Sequence, residues 1–89
     1  MVIKIKIREP WTLHPQAIKL PIDSNDCIYY DTNGPTANGQ EILDAIGIAR
    51  KEVCFVRVNK GEKYLSRVFV ERDFNDNDFL DIYPFVIAG

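Results

Sequence analysis

Both ends of this chain are written in period two. Ile3, Ile5 and Ile7 alternate with Lys4, Lys6 and Arg8 near the start, and Leu80 and Ile82 alternate with Phe79, Asp81 and Tyr83 near the end. Such alternation makes a strand with one apolar face. Two strands of this kind, separated by a connection that contains a helix, can pair in parallel at the centre of one sheet. With 89 residues the chain has room for a single domain, 1–89, built on one modest core. Little space is left for a deep enclosed pocket, so any chemistry belongs on a surface, at a terminus or with a partner.

The segments between the two ends fill in the pattern. Pro10 and Pro15 break the first strand into a loop. Ile18, Leu20 and Ile22 alternate again and predict a second strand, hairpin partner of the first, which Pro21 confines to a sheet edge. Residues 23–37 are rich in turn formers around Cys27-Ile28-Tyr29-Tyr30, which can form a short extra strand or pack a loop. Asn38 is placed to cap a helix whose Glu41 would complete a capping box. Ile42, Leu43 and Ile46 share its apolar face, and Gly47 suits its C-terminal stop. Residues 53–59 predict a third strand with Cys54, Val56 and Val58 on one face and Phe55 and Arg57 on the other. Lys60-Gly61 turns the chain into a fourth short strand at Tyr64-Leu65, extending to 68–70. Asp76-Asn77-Asp78 is a turn in which Asn77 can take a left-handed conformation, and Pro84 closes the last strand. The expected class is α+β: a mixed, mostly antiparallel sheet of four or five strands with one main helix on one face.

If Ile3, Val56 and Ile82 face that helix, the opposite face presents Lys4, Lys6, Phe55, Arg57, Phe79 and Tyr83. Three aromatics on a wet face exceed what solvation needs, so this face reads as a partner-binding surface. Phe85, Val86 and Ile87 would extend it along a flexible tail, 84–89. The net charge of −2 excludes a polybasic nucleic-acid arm. No apolar run approaches the ~20 residues needed to cross a bilayer, and the alternating start is unlike a secretory leader, so a cytoplasmic protein is expected. Asp73-x-Asn75-x-Asn77 starts like a calcium loop but continues with Asp78 and Pro84 where glycine and glutamate are required. His14 lies in a proline-flanked loop without placed catalytic partners. Cys54 reads as a core residue, while Cys27 is open to either environment, and the pair has no metal-site spacing. Neither a phosphate loop nor a nucleophile elbow is present, so an independent enzyme is not expected, nor a bound metal or cofactor.

Three segments resemble the ThiS/MoaD-like sulfur-carrier family, whose members share the ubiquitin-like β-grasp fold. Glu41-Ile42-Leu43-Asp44-Ala45-Ile46-Gly47 is similar to the family's helix. Val56-Arg57-Val58-Asn59 is similar to its strand ending in valine-asparagine before a turn. The run from Asp76 to Gly89 is similar to its D-G-D turn, last strand, proline and Gly-Gly tail, with Asn77, Phe85 and Ala88 replacing a glycine, a proline and a glycine. The resemblance covers nearly the whole chain, its specific part being the last fourteen residues.

That resemblance implies a function. A free carboxylate is a poor electrophile, and in this family a ThiF/MoeB-like adenylating enzyme uses ATP to convert the C-terminal carboxylate into an acyl-adenylate. AMP then leaves as sulfur from a persulfide gives a thiocarboxylate. Here Gly89 would be the reacting residue, with Pro84, Phe85, Val86, Ile87 and Ala88 passing into the partner. Glycine lacks Cβ and fits a narrow channel; Ala88 adds one methyl beside it. The sulfur would serve molybdopterin, thiamine or tRNA thiolation, and in the first case a larger synthase subunit would be a further partner. Two alternatives are an RNA-binding β-grasp module of the TGS type, with bases stacked on the aromatics, and a β-grasp interaction module without conjugation.

Overall fold

The alternating start of the chain forms β1 (Val2–Ile7) and the alternating end forms β7 (Phe79–Pro84). They pair in parallel, with Ile5 beside Leu80 and Ile7 beside Ile82. The computed structural model describes residues 2–8, 20–32 and 34–85. Within them lie β2 (Cys27–Asp31), β3 (Thr36–Asn38), α1 (Gly39–Ile46), a 3-10 turn (Arg50–Glu52), β4 (Val53–Val58), β5 (Lys63–Leu65), the single turn α2 (Ser66–Phe69) and β6 (Asp73–Asn75). The main sheet has the order β2-β1-β7-β4-β5, and β3 pairs with β6 in a separate two-stranded ladder. Only the β1–β7 pairing is parallel among these ladders. The fold is thus a small α+β unit with a mixed five-stranded sheet and one main helix.

One face of the sheet supplies Ile3, Ile5, Ile28, Val53, Val56, Leu80 and Ile82 to the core, each fully buried. The apolar stripe of α1 (Ile42, Leu43, Ile46) meets them, and Phe69 and Phe74 fill the remaining space. The helix begins where expected: Asn38 Oδ1 accepts the Glu41 N–H at 2.8 Å, and Gly47 ends it at φ 74°. Glu41 does not close a capping box. Its carboxylate accepts the Tyr30 hydroxyl at 2.6 Å instead, tying the helix start to β2. Gly39 is required because a Cβ there would overlap the Phe69 carbonyl.

Several expectations are corrected. The partner of β1 is β2, Cys27–Asp31, and not 18–22; the described part of that segment lies beside β2, through an isolated Ile22–Ile28 bridge and the Tyr29 N–H donated to the Pro21 carbonyl, and packs Leu20 against the core. The β-rich run Cys27-Ile28-Tyr29-Tyr30 wins because Asp23 organises its approach, its Oδ1 accepting the N–H groups of Asn25 (2.8 Å) and Cys27 (3.0 Å). Residues 68–70 form no strand: α2 turns the chain so that Phe69 reaches the core. Cys54 is half-exposed rather than core, since the register shifts between Val53 and Phe55. The extra residue there brings both Val53 and Val56 inside. Cys27 is buried, and both thiols are free. His14, Ile18, Val86, Ile87, Ala88 and Gly89 lie outside the described residues.

The turn ends of the strands are fastened by polar side chains. Asn77 takes φ 70° as its sequence position suggested, and its N–H donates to the Val2 carbonyl at 3.0 Å. Asp76 Oδ1 accepts the Val2 N–H at 2.6 Å. Asn59, also left-handed, receives the Phe79 N–H on Oδ1 at 2.8 Å and donates from Nδ2 to Asp78 at 3.0 Å. Its own N–H donates to the Phe79 carbonyl at 2.7 Å. The asparagine that ends β4 is therefore a bracket on the start of β7.

Replacing Asn59 by Ala removes two side-chain hydrogen bonds and puts a Cβ residue without a polar tip in left-handed backbone. It should cost about 2 kcal/mol in urea unfolding. A second expectation concerns pH. The hydrogen bond to Glu41 pushes the Tyr30 phenol up to about 12 from its usual 10. Below pH 10 the phenol is neutral folded and unfolded, so its stabilisation is fully present there. Above that value the unfolded chain ionises first, and the contribution fades as pH rises towards 12. The Tyr30→Phe variant should lose this part of the alkaline decline, measured as the difference between the two proteins' unfolding midpoints across that range.

Candidate partner-binding face

The core-forming alternation sends every other side chain of the central strands to the opposite face. There the register aligns them in rows across the sheet. One row runs Tyr83, Phe55, Leu65 from β7 through β4 to β5, and the next runs Lys6, Asp81, Arg57, Lys63 from β1 to β5. A third row runs Tyr29, Lys4, Phe79 from β2 through β1 to β7. The six residues expected on this face, Lys4, Lys6, Phe55, Arg57, Phe79 and Tyr83, are brought together on it, all half-buried. Pro84 is buried opposite Val53, so it offers backbone anchorage and no surface. Phe85 is 54% exposed, and its N–H donates to the Glu52 carbonyl at 3.2 Å. The chain therefore stays fastened to the sheet through Phe85.

The aromatics are packed by their neighbours. Phe55 and Tyr83 stack at 4.4 Å between centroids, and Lys63 Nζ lies 4.3 Å from the Phe55 centroid. Because β4 lies between β7 and β5, the Phe55 ring has Tyr83 on one side and Lys63 on the other. Lys4 Nζ sits 5.4 Å from the Phe79 centroid. Cation–π contacts of this kind contribute about 0.5–1 kcal/mol at exposed sites. What the face shows to solvent is ring edges, ammonium groups and the 51% exposed Leu65.

Asp81 was expected to point outward into solvent. It does lie on this face, but it is 1% exposed. Arg8 takes its carboxylate through Nε at 2.8 Å and through a terminal nitrogen at 2.6 Å. The backbone N–H of Arg8 donates to the Ile82 carbonyl at 2.9 Å, holding it there. Arg57, the cross-strand neighbour of Asp81, is left without that carboxylate, and its buried Nε has no acceptor among the described residues. A buried donor without an acceptor costs about 1–3 kcal/mol.

Sequence reasoning missed several members of the face, among them Val2, Tyr29, Arg8, Lys63 and Leu65. The last two flank Tyr64, which turns inward against Phe74, so their outward direction follows from period two once β5 is known to pair with β4. Nothing local could show Arg8 reaching Asp81, 73 positions away. Among the described residues no group of His, Cys, Asp or Glu is placed to hold a metal ion, and no helix is long and apolar enough to cross a membrane. No protein-family model, curated protein or solved structure matches the chain.

The Arg8–Asp81 pair is asymmetric in burial, with side-chain exposures of 37% and 2%. Removing Arg8 strands a buried carboxylate, whereas removing the carboxylate lets Arg8 turn to water. Arg8→Met should therefore cost about 3 kcal/mol, the low end for a broken buried pair because Arg8 is partly screened. Asp81→Asn should cost about 1 kcal/mol. Equal losses in chemical denaturation would contradict this asymmetry.

Proposed function

We propose that the chain is a ubiquitin-like β-grasp sulfur carrier, with the Gly89 carboxylate as its reacting group and a ThiF/MoeB-like adenylating enzyme as its partner. The observation that carries the reading is the central parallel pairing of β1 with β7. In it the last strand runs out beside a face of aromatic, aliphatic and cationic side chains. The order β2-β1-β7-β4-β5 with one main helix is the arrangement expected of a β-grasp. A carrier of this type needs no acid or base of its own. It contributes a docking surface and a slim end that threads into another protein's active site.

The described chain is anchored as far as Phe85, whose N–H donates to the Glu52 carbonyl. ATP is consumed by the partner: the carboxylate oxygen attacks the α-phosphorus and pyrophosphate leaves, the outer sulfur of a donor persulfide then displaces AMP at the acyl carbon, and a second thiol cleaves the resulting acyl disulfide to give the thiocarboxylate and a disulfide. The RNA-binding alternative is the weaker reading, because stacking needs an open ring face and Phe55 is flanked on both sides.

Intact-mass analysis tests the reading. Incubation with an adenylating enzyme, ATP and a sulfur donor should produce a chain heavier by one oxygen-to-sulfur exchange at the C-terminus. Deletion of Gly89 should abolish it. A chain that binds the enzyme through its sheet face yet never gains sulfur would be a β-grasp interaction module instead.

A further inference from the structure

The outer face carries an unmet electrostatic demand at a defined spot. Arg57 and Lys63 are directly opposed on β4 and β5, an arrangement of like charges that works against the pairing. The carboxylates nearest in sequence and register are already engaged: Asp81 by Arg8 and Glu62 by the Tyr64 hydroxyl. The Nε–H of Arg57 is itself buried, without an acceptor among the described residues, so the charge this side chain can offer a partner lies at its outer nitrogens. The adjoining row holds Leu65, exposed beside the flanked Phe55. A cation pair lacking an anion thus lies two strand residues, about 7 Å, from an exposed aliphatic side chain.

We infer that this corner of the sheet binds a protein segment presenting a carboxylate and an apolar side chain about 7 Å apart. The carboxylate meets the guanidinium of Arg57, and the apolar side chain settles on Leu65 and the edge of Phe55. A carboxylate set between Arg57 and the exposed Lys63 offsets the repulsion of the two opposed cations. The occupant is protein rather than nucleic acid because the ring nearest the cations has no open face for a base, while ring edges and Leu65 accept aliphatic groups. This specificity belongs to the face itself and is independent of any chemistry at Gly89.

The test is an NMR titration of the full chain with three probes at millimolar concentration. The first is a capped Ser/Gly peptide with Glu and Leu two residues apart, the second its Gln counterpart, and the third an oligouridylate. The first should shift the amide signals of Phe55, Arg57 and Leu65 saturably. The Gln peptide should bind about tenfold more weakly, since hydrogen bonds to charged groups are worth that much. Arg57→Gln should lose the same factor with its signal dispersion intact. Leu65→Ser, at a position 51% exposed, should weaken the Glu peptide while preserving its preference over Gln, with signal dispersion intact. Equal binding of the two peptides, shifts centred elsewhere, no saturable shift, or tighter binding of the oligouridylate would each overturn the inference.

Discussion

The parallel contact between β1 and β7 is the constraint on which the rest of the molecule depends. Parallel strands cannot be joined by a tight turn, so everything between them must leave the sheet and return. The register has to be set by something other than a hairpin. Here it is set at one end by turn residues: the Asp76 side chain and the Asn77 backbone N–H hold Val2, while the Asn59 side chain holds Phe79 and Asp78. A slip of one residue would reverse which faces Ile3, Ile5, Leu80 and Ile82 occupy. These few polar contacts therefore protect the whole apolar core.

The same register builds the outer face. Once Phe79, Asp81 and Tyr83 are fixed between β1 and β4, their cross-strand neighbours follow, and cations come to lie beside rings. The face is neither plain apolar nor plain basic. Its aromatics are shielded by ammonium groups and its one deeply buried carboxylate is neutralised by Arg8. An otherwise exposed aromatic surface is thereby kept from presenting broad ring faces to water, with Val2, Leu65 and Phe85 left as open apolar points.

The sequence made some of this legible and hid the rest for identifiable reasons. The helix was readable because its signals are local: the Asn38 cap, the Ile42, Leu43 and Ile46 stripe, and the Gly47 stop. The left-handed Asn77 was readable for the same reason. The choice of β2 was not, because 18–22 and 27–31 both carry strand-like residues and only pairing with β1 decides between them. The inward turn of Val53 was invisible, since a bulge changes parity without any marker in composition. The face was readable as a set of outward positions, but burial of Asp81 depends on an arginine near the other end of the chain.

The clamp at the turn end also has a mechanical meaning. Because β1 and β7 run in the same direction, the start of one and the end of the other lie at opposite ends of the sheet. Tension applied between Val2 and Phe85 would slide the two central strands along each other. Their cross-strand hydrogen bonds would share that load together rather than yield one at a time. Pulled in that direction, the described fold resists along the whole length of its central seam.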